Sequence, residues 1–449
     1  MLSQLFGQIV FRLFILNSMS FLILSFSFLS ESHAEGVSLK DLVSEALVQS
    51  PAVQKSQAAY DEASWKKTES LQGFLPQLSG SLNYLTDKRY MLVDVNLGAG
   101  ATSIAQVVPT TMYALTATLP LFDGFASTNR YLAGQNFEKS AQHEFEWAQF
   151  LVQRQVVLQF YKSLAAQTLK DVAEQNFKTL SDHLKDIIAL KKAGMATSYD
   201  VLRVEVQVSE AKSEVLNSQD NLEVAQYKLG EILGKEFENR DLNGEWPSFA
   251  KINMSAIKKL DLSQRADLLG LKEKVQALRD QETAQGRYWS PKISAFGQYQ
   301  YYNNINSRFS DTDRFREAYQ VGLSLTWNFF DGMGSIAKSH QASAQAIQLE
   351  QTQRMSVLKA LQEFEFWKRK LNYFKTVYES RVIEVEKSAE AIRLAKEGRK
   401  AGTRTSTDLL DAELDWFRSR AGQVNAQIGA IESLINLELS TGQIIYDFN

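Results

Sequence analysis

The sequence predicts a mostly α-helical chain with a membrane β-barrel portion, built from two tandem pseudo-repeats. Three observations predict it. The first is that the chain is written twice. Residues 194–202 read Gly-Met-Ala-Thr-Ser-Tyr-Asp-Val-Leu and residues 402–410 read Gly-Thr-Arg-Thr-Ser-Thr-Asp-Leu-Leu, with five of the nine identical at an offset of 208. The same offset carries Phe122-Asp123-Gly124 onto Phe330-Asp331-Gly332 and Gly234 onto Gly442, and an offset of 215 carries Pro76 onto Pro291. Repetition at a fixed spacing means that each half is one structural unit. The second observation is the proline distribution: none of the six lies from 121 to 246 or from 292 to the end. Proline breaks helix interiors, so these Ala/Gln/Glu/Lys/Leu-rich tracts favour very long helices. The third is that in each half the hydrophobic period switches from 3.6 to 2 and back, which marks strands set between helices.

The elements follow in order. Residues 1–34 form a signal peptide: Arg12 supplies the positive region, Leu13 to Leu29 the apolar run, and Ser32-His33-Ala34 puts small residues at the exit before Glu35. Residues 35–234 are the first structural repeat. Leu39–Gln72 is helical with a local break at Ser50-Pro51. Leu78, Gly80, Leu82 and Tyr84 then alternate with polar residues, and after a polar, Gly-rich loop Tyr113, Leu115, Ala117 and Leu119 do the same. A helix from about Ala126 to Leu190 follows, then a turn and a second long helix. Residues 235–260 are a linker with Gly244, Trp246 and Pro247 but no clear period. Residues 261–442 are the second repeat. Here Ile293, Ala295, Gly297, Tyr299 and Tyr301 share one strand face, and Tyr319, Val321, Leu323, Leu325, Trp327 and Phe329 share another. A helix from about Ser335 to Glu397, a turn and the last helix complete it, with 443–449 as a short tail. At ~1.5 Å per residue, ~65 residues give a rod of roughly 100 Å.

Such rods need lateral partners. Phe364, Trp367, Leu371, Phe374 and Tyr378 repeat at spacings of 3 and 4, and so do Leu410, Leu414, Phe417, Ala421, Val424, Ile428, Ile431 and Ile435. A period of 3.5 predicts knobs-into-holes seams and a left-handed supercoil, with these apolar residues as core.

Composition excludes several functions. A net charge of −3 gives no reason to expect a nucleic-acid partner. With no cysteine there is no disulfide framework, no thiolate metal site and no lipid-anchored cysteine. The histidines are scattered rather than set at ligand spacing, and His143, His183 and His340 read as solvated helix positions. No cofactor or metal is expected, and no nucleophile–base pair or phosphate loop suggests an enzyme.

The alternating segments match the ~9–11 residues that a membrane strand needs, with aromatic residues toward their ends. Four strands cannot close a membrane barrel, and an open edge in lipid leaves backbone groups unpaired. The barrel must therefore be shared. Two chains would supply eight strands and three would supply twelve with an open lumen, which the polar inward residues favour.

On these features the chain resembles the TolC-type outer-membrane channel family. The tandem halves carry the resemblance, with Pro76 and Pro291 opening strands, Leu121-Phe122-Asp123-Gly124 and Phe329-Phe330-Asp331-Gly332 closing them, and the run from Gly402 to Asp411 as the most specific motif. The resemblance implies a homotrimer with a 12-stranded outer-membrane β-barrel, continuous with a periplasmic α-helical coiled-coil barrel. It implies a passive exit duct for a tripartite efflux pump or type I secretion, partnered by a periplasmic adaptor (membrane fusion) protein and an inner-membrane RND or ABC transporter. A coiled-coil outer-membrane structural or adhesin-like protein without transport is the alternative.

The tip of the rods holds the candidate site. Gly194 and Gly402 sit where long helices must reverse, with Lys191, Lys192, Arg399 and Lys400 before them as C-terminal cations. Thr197/Ser198 and Thr405/Ser406 are suitable N-caps. Asp408 and Asp411 lie three apart on one helix face; the local reading is dipole-favoured carboxylates. The resemblance implies that they form carboxylate rings at a closable periplasmic gate. It also implies that Arg404 and Asp200 latch that gate, and that the adaptor contacts the tip near Gly194 and Gly402. Arg399 stands where the family has a tip tyrosine, and offers either a further link to Asp200 or a plain surface cation.

Overall fold

The computed structural model describes residues 37–86, 92–96, 98, 101–105, 109–236, 242–249, 261–303 and 315–448. The signal peptide (1–34) lies outside them, as do 237–241 and 250–260 of the linker and part of the Gly-rich loop.

Helix α1 (Leu39–Gln49) starts at Ser38, whose Oγ accepts from the Asp41 amide at 3.3 Å. Helix α2 (Pro51–Ser70) begins on Pro51, where a missing N–H goes unneeded. Strands β1 (Gln77–Tyr84), β2 (Leu92–Asn96), β3 (Ala101–Ala105) and β4 (Thr111–Phe122) lead to the rod α3 (Ala126–Lys192) and its return α4 (Ser198–Leu233). The second half runs α5 (Ala266–Gly286), β5 (Lys292–Asn303), β6 (Phe315–Thr326), α6 (Gly334–Lys400) and α7 (Ser406–Thr441). The rods α3 and α6 are each 67 residues long and the returns α4 and α7 each 36, every boundary being displaced by 208 (334 − 126; 406 − 198). The repeat seen in sequence is thus a repeat in structure.

The main sheet is antiparallel in the order β1-β4-β5-β6. Its register gathers residue types by face. Leu82, Tyr113 and Tyr301 lie side by side, as do Leu115, Tyr299 and Tyr319, and Ala117, Gly297 and Val321. On the other face Thr116, Gln298 and Gln320 form a rung, in which Gln298 Nε2 donates to Thr116 Oγ1 at 3.3 Å and Gln320 Nε2 to Gln298 Oε1 at 2.6 Å.

Two expectations need correction. The loop between β1 and β4 is not all loop, since β2 and β3 pair as a separate hairpin from Leu92↔Ala105 to Asn96↔Ala101. Five-residue strands are too short for alternation to stand out. Strand β6 stops at Thr326 and does not reach Phe329. Its partner β5 begins at Lys292 after Pro291, so Thr326 pairs with Lys292 and the ladder has no continuation.

Hairpins α3/α4 and α6/α7 form two helical pairs. Helix α5 lies between α3 and α6, α2 lies on α3, and α3 also packs on α7. The predicted seam is core: Phe364, Leu371, Leu410, Phe417, Val424, Ile431 and Ile435 are buried. The main cluster sits midway along the rods, where Val156, Phe160, Leu229, Ile431, Leu434 and Ile435 meet Leu42 and Ala46 of α1. Chain ends and linker wrap this girdle. Val37 bridges to Leu242, the Tyr161 hydroxyl donates to the Glu245 carbonyl at 3.3 Å, and Phe249 packs on Tyr378. Glu438, fully buried, accepts from Arg154 Nη1 at 2.8 Å and from the Ile445 and Tyr446 amides at 2.8 and 2.9 Å, which pins the C-terminal tail. Burial pushes the Glu438 carboxyl above its ordinary range, with Arg154 pulling the other way.

Candidate functional site

Both tips are Schellman turns of matching geometry. The Gly194 amide donates to Lys191 O at 3.0 Å and Met195 N to Leu190 O at 2.9 Å; in the second half Gly402 N donates to Arg399 O at 3.1 Å and Thr403 N to Gly398 O at 2.9 Å. Gly194 and Gly402 hold φ of 78° and 73°, a left-handed geometry that a side chain resists. The returns start with capping boxes. Thr197 N donates to Asp200 Oδ2 at 2.8 Å while Asp200 N donates to Thr197 Oγ1 at 3.2 Å, and Thr405 and Asp408 repeat this at 2.8 and 3.1 Å. These bonds hold both carboxyls below their ordinary range: for Asp200 the Thr197 hydroxyl is the larger cause, for Asp408 the Thr405 amide.

The structure separates the two candidate arginines. Arg404 lies in a groove of about 920 Å³ between α6 and α7 that it shares with Asp408 and Asp411, and also with Asp415 and Arg418. Its amide donates to the Gly398 carbonyl at 3.2 Å, and its side chain crosses Gly398 so closely that a Cβ there would stand 2.6 Å from Arg404 Cγ. Arg399 lines a different cavity of about 570 Å³, at the meeting of α3, α6 and α7. Its Nη1 is 3.4 Å from His183 Nδ1 and its Nη2 is 3.8 Å from Asp186 Oδ2. Asp200 is engaged by its own cap, and Asp411 is reached by Arg203 of α4, whose Nη2 is 4.0 Å away.

Sequence reasoning does not single out Gly398, Arg203 or Glu413, and it misplaces His183. Gly398 is a glycine in the last turn of a helix, a weak signal. Arg203 is the residue that the 208 offset sets on Asp411, a signal that was present. His183, read as solvated, is buried: its Nε2 lies 3.2 Å from Ser406 Oγ, and burial, then the Arg399 charge, holds it below its ordinary value. It shares a helix face with the buried Leu180 and Ile187, which is why it turns inward. Glu413, buried beside Lys396 at 3.7 Å, is pushed up by desolvation.

Among the described residues, no group of three or more acidic, His or Cys side chains is arranged to hold a metal ion, and no helix is long and apolar enough to cross a membrane.

Solved structures share this architecture. The Campylobacter jejuni CmeC outer membrane channel superposes with a TM-score of 0.73 at 13% identity, over 94% of this chain and 90% of that one. The Neisseria gonorrhoeae MtrE outer membrane channel, solved in its open state, gives 0.70 at 16% identity, over 91% and 89%. The outer-membrane channel OprN gives 0.71 at 18% identity, over 90% and 89%. No curated protein matches the sequence. The family described as "Outer membrane efflux protein" matches residues 42–235 and 259–443, one segment for each half. With both halves matched and the two-part fold in place, the chain belongs to the outer membrane efflux protein family.

Proposed function

We propose that the chain is one third of a homotrimeric exit duct, in which three four-stranded sheets close into a barrel of twelve strands. The observation that carries this is the sheet itself. It has one apolar and one polar face, and among the described residues its outer strands β1 and β6 each keep a free edge. In lipid a free edge is untenable, so copies must pair edge to edge, apolar faces outward. The helices support the same assembly. Helix α3 packs on α7 within the chain, and the 208 offset makes α6 on α4 the equivalent contact. That contact is not comparably filled within the chain: α4 exposes Leu202, Val206, Leu216 and Tyr227, and α6 exposes Met355, Phe366, Tyr373 and Ile383. A neighbouring copy supplies it.

The duct is passive and serves a tripartite efflux pump or type I secretion. An inner-membrane RND or ABC transporter supplies the energy, and a periplasmic adaptor docks at the tip near Gly194 and Gly402. Asp408 and Asp411 line the narrowed periplasmic opening. Arg404, Asp200 and Arg399 hold it shut, Arg404 reaching across to a neighbouring chain while Arg399 ties α6 to α3 inside its own. The test is native mass spectrometry of detergent-extracted protein, followed by conductance in planar bilayers. A trimer with steady low conductance is expected. A stable monomer, or a trimer that passes no ions, would overturn the proposal.

A further inference from the structure

We propose that Arg203 sets the ion specificity of the tip by neutralising Asp411, leaving cation capture at the opening to Asp408. This rests on the channel reading above. Asp200 and Asp408 are equivalent across the repeat, but three residues further the halves differ in sign, with Arg203 in the first and Asp411 in the second (203 + 208 = 411). The structure brings these two equivalents together. Arg203 Nη2 lies 4.0 Å from Asp411 Oδ1, and Nη1 donates to Thr407 Oγ1 at 3.5 Å. One arginine thus touches two positions on the first turns of α7 and bridges the two returning helices.

The consequence is a division of labour between the carboxylates. Asp408 Oδ2 accepts from the Thr405 amide, which fixes the carboxylate without cancelling its charge. Asp411 faces the Arg203 guanidinium at 4.0 Å, so part of its field at the opening is cancelled. Among the described residues no arginine comes within salt-bridge distance of Asp408, on which Arg404 acts from farther off in the same groove, whereas Asp411 is already paired. Both partners are part-exposed, so the pair is worth little to stability. Its effect is on ions passing beside it.

The experiment measures block of the single-channel current by hexaamminecobalt(III) added on the helical-tip side. Removing the charge in Arg203→Gln releases Asp411. The Coulomb energy of one charge pair at ~4 Å in water corresponds to about fivefold tighter block. Arg203→Lys should restore the wild-type value. Asp411→Asn strands the Arg203 charge and should weaken block by a similar factor alone, and should undo the gain when added to Arg203→Gln. Ion selectivity from reversal potentials should shift toward cations in Arg203→Gln alone. Block unchanged or weakened in a conducting Arg203→Gln channel would overturn the assignment while leaving the channel reading intact. A wild-type protein that passes no current would overturn both.

Discussion

Midway along the rods, Val156, Phe160, Leu229, Ile431, Leu434 and Ile435 have no exposed surface, and the buried charged pair Arg154 with Glu438 is sealed from water. At the far end of the same helices Met195, Tyr199 and Leu202 stand 70%, 72% and 60% exposed, and the ties are polar and part-solvated. The girdle is held by burial, summed over many side chains from α1, α3, α4, α6, α7, the linker and the tail. The tip has only a smaller apolar cluster, Leu180, Ile187, Val201, Val204 and Leu410, and adds to it capping boxes, a histidine and a few arginine contacts, each of which one substitution can remove. Burial is dense and all-or-none, whereas isolated polar ties can open singly. The duct proposed above, opening at one end and keeping its bore in the middle, is served by this division.

The largest expected effect comes from breaking the girdle pair. Glu438→Ala leaves Arg154 buried without a partner and strips two tail amides of their acceptor, which should cost about 3–5 kcal/mol. At the tip, Arg399→Ala removes a part-exposed contact and should cost no more than about 1 kcal/mol. Replacing Arg154 and Glu438 together by methionine should recover much of the loss, because neither charge is then stranded. Denaturant unfolding followed by circular dichroism checks all three. Equal losses for Glu438→Ala and Arg399→Ala would erase the contrast between the regions.

A finer comparison uses two glycines of the same backbone geometry. Gly234 closes α4 in the girdle at φ 75°, and Gly402 closes the tip turn at φ 73°. An alanine in this left-handed geometry is strained by about 1–2 kcal/mol wherever it sits. At Gly402 nothing lies within 4 Å of the added Cβ, so Gly402→Ala should cost about that strain alone. At Gly234 the Cβ would come 2.5 Å from Pro51 Cδ, so Gly234→Ala must also push α2 away. Unfolding midpoints should fall clearly further for Gly234→Ala. Matching midpoints would mean that the girdle yields as readily as the tip.

Much of this was legible in the chain. The long helices end within three residues of the expected Ala126–Leu190 and Ser335–Glu397, because glycines, capping threonines and proline gaps are local signals that tertiary structure rarely overrides. The strand faces were legible because alternation over Tyr319 to Leu325 and Ile293 to Tyr301 has one geometric solution. The β2–β3 hairpin was not, because five residues carry too little period. Side-chain partners at the tip were the hardest to see. The alternative for Arg399, a link to Asp200 or a free surface cation, contained neither His183 nor Asp186, since both lie on α3, more than two hundred residues earlier. Spacing along one helix reveals a face but does not say which distant helix meets it.

The smallest effect expected is a pH dependence that separates tip from girdle. His183 faces Ser406 and Glu413 of α7, Lys396, Arg399 and Lys400 of α6, and Asp182 and Asp186 on its own helix. Burial first, and Arg399 second, hold its value below 6.5, with Asp186 opposing. The unfolded chain therefore takes up this proton at a higher pH than the folded one. The stability His183 contributes is complete above the unfolded value and is lost as the pH falls through the folded one. Glu413 works in the opposite sense, because burial raises its value above 4.5; its contribution is present below that point and is lost as the pH rises. A wild-type pH profile mixes the two, and His183→Asn separates them, since Glu413 cancels in the difference. Between about pH 7.5 and about pH 5.5, wild type should lose more stability than His183→Asn. As the pH falls through the folded value an imidazolium forms beside Arg399, and the wild-type tip should then leak more current in bilayers while the variant does not change. Parallel stability curves and equal leak would mean that the proton on His183 never meets Arg399, and that packing of Leu180 and Ile187 alone holds α3 against the tip turn.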